Sequence, residues 1–390
     1  MKSSYKPMKL TAAALSIMLL GACQGPSKET TEESDTLQTE ARIETTADDW
    51  ILGPFVRPEG INPVISPKEE TSFNDPMSGK AIAWESNDTF NPAATVMGDS
   101  IYVLYRAEDK SGVGIGERTS RLGLAATADG FTMNRRDTPV MYPKDDAQKQ
   151  NEWTGGCEDP RVAVTEDGLY VMLYTQWNKK VARLAVATSK NLVDWDKHGP
   201  TFQKAFDGKY KDRFSKSASI ITQVKDGKKV ITKVNGKYWM YWGEKGIFAA
   251  TSDDLINWTP IEENGELKPL ISPRKGYFDS QLTEAGPPAV ITDKGIVLMY
   301  NGKNLADGGD TTYTANSYCA GQVLFDKNAP TKVLHRLDKP FLVPSESFEK
   351  SGQYPDGTVF IEGLVYFKDK WYLYYGCADS RVSVAVYTPE

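Results

Sequence analysis

Histidine is almost absent from this chain. With only His198 and His335 in 390 residues, neither a histidine-centred catalytic triad nor a histidine-rich metal site is expected, and polar chemistry falls mainly to carboxylates. Cysteine is nearly as scarce. Besides Cys23 there are Cys157, Cys319 and Cys377, too few and too widely spaced for a disulfide framework or zinc-ligand spacing; they read as buried thiols. Positive charge is not in surplus. Lys and Arg number 46 against 52 Asp and Glu, a formal net charge of −6, so nothing supplies a basic footprint for nucleic acid. Sustained helical periodicity is missing, as is a calcium loop. No cofactor and no metal are expected.

The N-terminus is distinctive. Lys2, Lys6 and Lys9 precede an apolar run from Leu10 to Leu20, too short for a good bilayer span, followed by Gly21-Ala22-Cys23. This reads as a signal segment over 1–22 with Cys23 as a lipidated cysteine; an ordinary signal peptide with an incidental cysteine is the alternative. Residues 24–49 lack aromatics and are rich in Glu, Asp, Thr and Ser, a composition that cannot offset its ordering entropy. Residues 23–50 are therefore expected to be an acidic tether, similar to the export tags of some Gram-negative surface lipoproteins. That places the protein on the outer membrane, at the cell surface or on the periplasmic face, held only by lipid. Residues 51–390 are expected to form the folded domain.

Within that domain five stretches resemble one another: "SIYVLYRAED", "GLYVMLYTQW", "GKYWMYWGEK", "GIVLMYNGKN" and "KWYLYYGCAD". Aligned on Tyr105, Tyr174, Tyr241, Tyr300 and Tyr375, they recur about every 60 to 75 residues. A second motif keeps step, with Thr127, Thr188 and Thr251 entering Asp/Asn turns. An all-β unit repeated five times predicts a five-bladed β-propeller. If the tyrosine strands line its axis, their ends converge on a funnel: Arg106, Gln176, Glu244, Asn301 with Lys303, and Asp379. Such a mixed polar and aromatic pocket suits a sugar, with Trp177 and Trp242 available for stacking or for packing between blades.

"FNPAA" (90–94), "YRAED" (105–109), "GCEDPRV" (156–162), "AGPPAVIT" (285–292) and "YYGCADSRVSVA" (374–385) occur in order and resemble glycoside hydrolase family 130. That family comprises mannoside phosphorylases and β-1,2-mannosidases on five-bladed propellers. The resemblance implies cleavage of a β-mannosidic bond with inversion, by residues 51–390 as a catalytic domain. It makes Asp159 the proton donor, directly or through a sugar hydroxyl, because a departing alkoxide needs a proton. Glu158 would point away on an extended chain and is expected to be structural. The family's phosphorylases carry a His-Arg pair after the third-blade strand; here the stretch reads "MYWGEKG" with Glu244, and "TEAGPP" supplies Glu284. Two carboxylates would repel phosphate and could activate water, so Glu244 and Glu284 are expected to be the base or water-positioning pair. Lys216 matches a family lysine near the anion site. Asn91, Arg106, Arg161 and Asp379 match positions that hold the terminal mannose, and Asp279 is a candidate for the leaving-group subsite.

The reading is thus an exo-acting β-1,2-mannosidase on mannan-type oligosaccharides. Its alternatives are a mannoside phosphorylase, a five-bladed hydrolase of arabinan or xylan, and a lipid-anchored glycan-binding propeller.

Overall fold

A computed structural model describes residues 49–389; the expected signal segment, Cys23 and nearly all of the tether lie outside the described residues. The chain forms a five-bladed β-propeller. Blade 1 consists of Asp88–Met97, Ser100–Glu108, Ser120–Thr127 and Asn134–Arg135. Blade 2 consists of Gly156–Val164, Tyr170–Trp177, Ala182–Ser189 and Asp196–Pro200. Blade 3 has Ala218–Lys225, Lys237–Trp242, Phe248–Ser252 and Trp258–Pro260. In blade 4 the first strand is split into Leu282–Ala285 and Ala289–Ile291, before Ile296–Lys303, Tyr318–Phe325 and Val333–Arg336. Blade 5 has Val359–Phe367, Lys370–Cys377 and Arg381–Tyr387. Its outer edge comes from the other end of the chain, where Val56 pairs with Val386 and Ile65 with Val382.

Both faces of every blade are buried, which explains the near-continuous apolar strands. Five cores fill the five gaps between blades. Val171 and Val186 meet Met240 and Trp258 between blades 2 and 3, for example, and Val103 and Ala125 meet Val365 and Val384 where blade 1 closes on blade 5.

The first strands of the blades pack together at the axis. The tyrosine strands, expected there from the sequence, lie one position out. The reason is space. Five strands converging on an axis leave no room for rings, and small residues stand where they approach: a side chain at Gly363 would meet the Pro92 carbonyl and Ala94, and one at Gly286 would meet the Met299 and Ile361 carbonyls. Aromatic residues fit the second strands, which pack between neighbouring blades.

The repeated tyrosines have a common task. Tyr105 donates to Glu85 at 2.8 Å, Tyr174 to Glu152 at 2.8 Å, Tyr300 to Asp279 at 2.7 Å and Tyr375 to Glu349 at 2.8 Å. Each carboxylate is fully buried and precedes the first strand of its blade. Each also holds a cation from the outer strand: Arg135 on Glu85, Lys197 on Glu152 at 2.5 Å, Arg336 on Asp279 at 2.6 Å and Arg57 on Glu349 at 2.7 Å. Carboxylate, tyrosine and cation therefore tie the entry, second strand and outer strand of one blade together. Blade 3 departs from this: Tyr241 donates to the Pro330 carbonyl at 2.8 Å and stacks on Phe325. Asp279 belongs to this set, with Arg274 as a further partner at 3.0 Å, so it braces blade 4 and does not line a sugar subsite.

Breaking a buried pair leaves a charge uncompensated. Glu349→Ala, which strands Arg57 and Tyr375 at the seam between the chain's ends, is expected to cost about 3–5 kcal/mol. Tyr375→Phe, which removes one hydrogen bond and keeps the ring, should cost about 1–2 kcal/mol. Urea denaturation of the two variants checks this, and equal midpoints would remove the carboxylate's special role.

Candidate active site

The first strands are irregular where they reach one end of the axis. In blade 1 the register shifts between Phe90 and Pro92, leaving Asn91 out of the ladder. In blade 2 it shifts between Glu158 and Arg161, leaving out Asp159 and Pro160. In blade 5 it shifts between Ile361 and Gly363, leaving out Glu362. Bulges re-aim side chains, and here they turn them toward the axis. Asn91 and Asp159 take left-handed backbone with φ of 47° and 49°, an uncommon conformation for residues with a Cβ. Close by, Gly156 must be glycine, because a Cβ there would strike the Ser120 backbone.

Arg106, on the second strand of blade 1, is the hub. It donates to Asp159 at 3.0 Å, Glu158 at 2.9 Å, Glu108 at 2.7 Å and Ser120 at 3.0 Å. Asn91 adds a bond to the same Asp159 oxygen at 2.9 Å, and Lys216 stands 3.6 Å from the other. Glu158, expected to point away, joins the site. The bulge breaks the alternation that the expectation assumed, so both acids of Glu158-Asp159 meet one guanidinium.

The opposite wall is wired through the backbone. The Gly243 amide bonds to the Ser217 carbonyl at 3.0 Å, and the Ala285 amide to the Gly243 carbonyl at 3.1 Å. Lys245 bridges to Thr283 in parallel register. Glu244, between Gly243 and Lys245, is therefore set beside Glu284, which also accepts a hydrogen bond from the Ser217 hydroxyl. Glu244 and Lys216 open onto a cleft of about 650 Å³ that Phe214, Phe248 and Pro269 help to line.

Electrostatics separates these carboxyls. Burial alone would raise Asp159, but the charges of Arg106, Lys216 and Arg161 outweigh it and hold the group ionised, well below the usual range. Glu158 is pushed up to about 7, by burial first and then by Asp159 and Glu108, against Arg106 and Lys216. Glu284 is also pushed up to about 7, by burial and the neighbouring Glu244. Asp379, half-buried in a left-handed turn at φ 50°, rises to about 7 through burial, with Arg106 opposing. Lys216 is raised despite its burial, by Asp159, Glu158, Glu244 and Glu284.

Arg161, Trp242 and Trp177, offered as sugar contacts, each have a structural task in the fold. Arg161 is fully buried. It donates to the carbonyls of Asp159 at 3.0 Å, Ala285 at 2.9 Å and Gly286 at 3.4 Å and pairs with Glu362 at 3.0 Å, so its donors brace the floor. Trp242 is buried between Phe202 and Phe248 with its indole N–H on the Ala249 carbonyl, which is the packing role, and it also helps to line the cleft. Trp177 lies against Gly155 and donates to the Gly116 carbonyl at 3.0 Å, pinning the 112–117 loop. Of the expected strand ends, Gln176 is bonded to Glu152 and Tyr174. Asn301 clamps blade 4 to the Ile361 backbone at 3.1 and 2.8 Å. Glu362 was not singled out from the sequence; the signal would have been "FIEG" as the fifth-blade counterpart of "FNPA" and "CEDP".

Residues 62–390 match the family described as beta-1,4-mannooligosaccharide phosphorylase, glycoside hydrolase family 130. A 1,2-beta-oligomannan phosphorylase of Thermoanaerobacter sp. is 33% identical over 332 residues, covering 83% of this chain and 94% of the relative. A glycosyl hydrolase structure from Bacteroides ovatus is 67% identical with a TM-score of 0.86, covering 87% of this chain and 95% of that one. Another structure, 65% identical with a TM-score of 0.87 over 87% and 95% of the two chains, comes from work on family 130 glycoside hydrolases that target beta-1,2 mannosidic linkages in Candida mannan. The chain thus belongs to glycoside hydrolase family 130.

Proposed function

We propose that this protein is an inverting, exo-acting β-1,2-mannosidase that uses water. The observation that carries the choice is the pair Glu244 and Glu284, wired side by side across the axis from Asp159. A phosphorylase needs positive potential for phosphate. Lys216, the ammonium 3.6 Å from Asp159, is already shared among Asp159, Glu158, Glu244 and Glu284, whereas paired carboxylates suit a water that must lose a proton. The similar structure from work on β-1,2-mannoside hydrolases points the same way. A mannoside phosphorylase is the second reading, favoured by the name of the Thermoanaerobacter relative.

In this reading the terminal mannose sits over the Arg161 floor. The buried Oδ1 of Asn91, which has no partner, and Asp379 take its hydroxyls. The proton for the leaving oxygen resides on the Glu158–Asp159 pair, where a carboxyl raised to about 7 adjoins one held ionised, and reaches the glycosidic oxygen from Asp159 or through a sugar hydroxyl. Glu284 and Glu244 hold and deprotonate the water on the other face. We also propose that the chain is anchored by lipid at Cys23 with residues 23–50 as a tether. Phosphorolysis conserves bond energy as a sugar phosphate, which has little use outside a cell, so such an anchor agrees with hydrolysis of external mannan-type oligosaccharides.

Residues 24–390 incubated with β-1,2-mannobiose should release free mannose at the same rate with or without phosphate. Mannose 1-phosphate formed only with phosphate would establish the second reading. Asp159→Asn should lower kcat by about 10²–10⁴-fold; a glycan-binding protein would release nothing before or after the change.

The pH profile should be bell-shaped. Glu284 must be ionised to accept a proton, so its raised value of about 7 makes activity fall as pH drops through that range. The proton of the Glu158–Asp159 pair is lost as pH rises through about 7, so activity falls there too. Glu284→Gln should remove the low-pH limb. A limb that survives in this variant and disappears in Glu244→Gln would move the base to Glu244.

A further inference from the structure

Glu362 is a bulged axial carboxyl that this mechanism leaves without a task. It occupies in blade 5 the position that Asn91 and Asp159 occupy in blades 1 and 2, the residue squeezed out of the first-strand ladder. It is wholly buried. Neither of its carboxyl oxygens has a hydrogen-bond partner, an arrangement that is costly in an interior and calls for an explanation. It forms an ion pair with Arg161 at 3.0 Å. The same guanidinium holds the carbonyl of Asp159 on one side and those of Ala285 and Gly286, next to Glu284, on the other.

We propose that Glu362 is a positioning residue for the reaction: through Arg161 it sets the left-handed turn of Asp159 and the strand end of Glu284 at the spacing that proton donor and base require. The inference rests on the reading of those two residues as donor and base. Three blades are involved, and the ion pair is where they meet. An arginine without its carboxylate would still find three carbonyls, but nothing would fix the plane of its guanidinium. Rotation of that plane moves both catalytic backbones at once. Small misplacements of reacting groups have large effects on rate. The groups facing Glu362 are Arg161 and Asp159 from blade 2, Glu284 from blade 4 and Arg106 from blade 1. Burial raises its carboxyl well above the usual carboxylate range, against the opposing charges of Arg161 and Arg106, so near neutrality it serves Arg161 as an acceptor of fixed position rather than as a full negative charge.

Glu362→Asp withdraws the carboxyl from Arg161 by one methylene. It is expected to lower kcat about tenfold or more with KM changed by less than about twofold and to leave the melting temperature close to that of the wild type, whereas Glu362→Gln, which keeps the size of the side chain and an acceptor for Arg161, should retain most of the wild-type kcat. A Glu362→Asp variant equal to wild type in kcat, or one whose lost activity merely follows lost folded protein, would overturn the proposal. Should Glu362→Asp not fold, Arg161→Lys, which keeps the charge and removes the planar fork, is read in the same way. The comparison uses whichever β-mannoside the wild-type chain cleaves, with or without phosphate. A wrong linkage or acceptor in the proposed function then appears in the wild type, and a wrong role for Glu362 appears only in the variant.

Discussion

Four buried carboxylates, each taking a tyrosine hydroxyl and a cation, underlie everything else in this propeller. A blade is a curled sheet with two apolar faces, and apolar packing alone does not fix how its strands sit against the segment that enters it. A carboxylate at the entry of the blade, bonded to the second strand and the outer strand together, fixes that arrangement within each blade. Charges in an interior are tolerated only when fully paired, so the arrangement is demanding as well as rigid. Blade 5 shows how far it reaches. Its cation, Arg57, comes from the opposite end of the chain, and the ring closes through the same contact that orders each blade.

With the blades fixed, the axis poses a problem of charge. Arg106, Arg118, Arg161 and Lys216 face Glu108, Glu158, Asp159, Glu244, Glu284, Glu362 and Asp379. Seven acids gathered around four cations leave an excess of carboxyls in a largely buried space. The structure resolves the conflict unevenly: Asp159, with the most cationic contact, stays ionised, while Glu158, Glu284 and Asp379 are pushed up to about 7. Protons thus remain on carboxyls near neutrality, which is the condition that acid–base work on a glycosidic bond sets.

Much of this could be read in the chain before folding. The tyrosine repeat announced five equivalent units, and the carboxylates that serve it stand 20, 22, 21 and 26 residues ahead of their tyrosines, a regularity that would have assigned Asp279 to bracing. The ordered motifs brought Asp159, Lys216, Glu284 and Asn91 into one list. Arg161, Trp242 and Trp177 were harder, because a side chain that holds a floor and one that holds a sugar have the same chemistry. Only the identity of the partner separates them.

What the sequence by itself determined is the class of the fold, the number of blades and the acid-rich character of the centre, since these follow from local pattern and composition. The tertiary structure alone decided which strand lines the axis, because convergence of five strands excludes rings from it. It decided that Glu158 turns inward, because a bulge cancels the alternation of a strand. It set Glu244 beside Glu284, and Glu362 beneath Arg161, because residues far apart in sequence become neighbours only where blades meet.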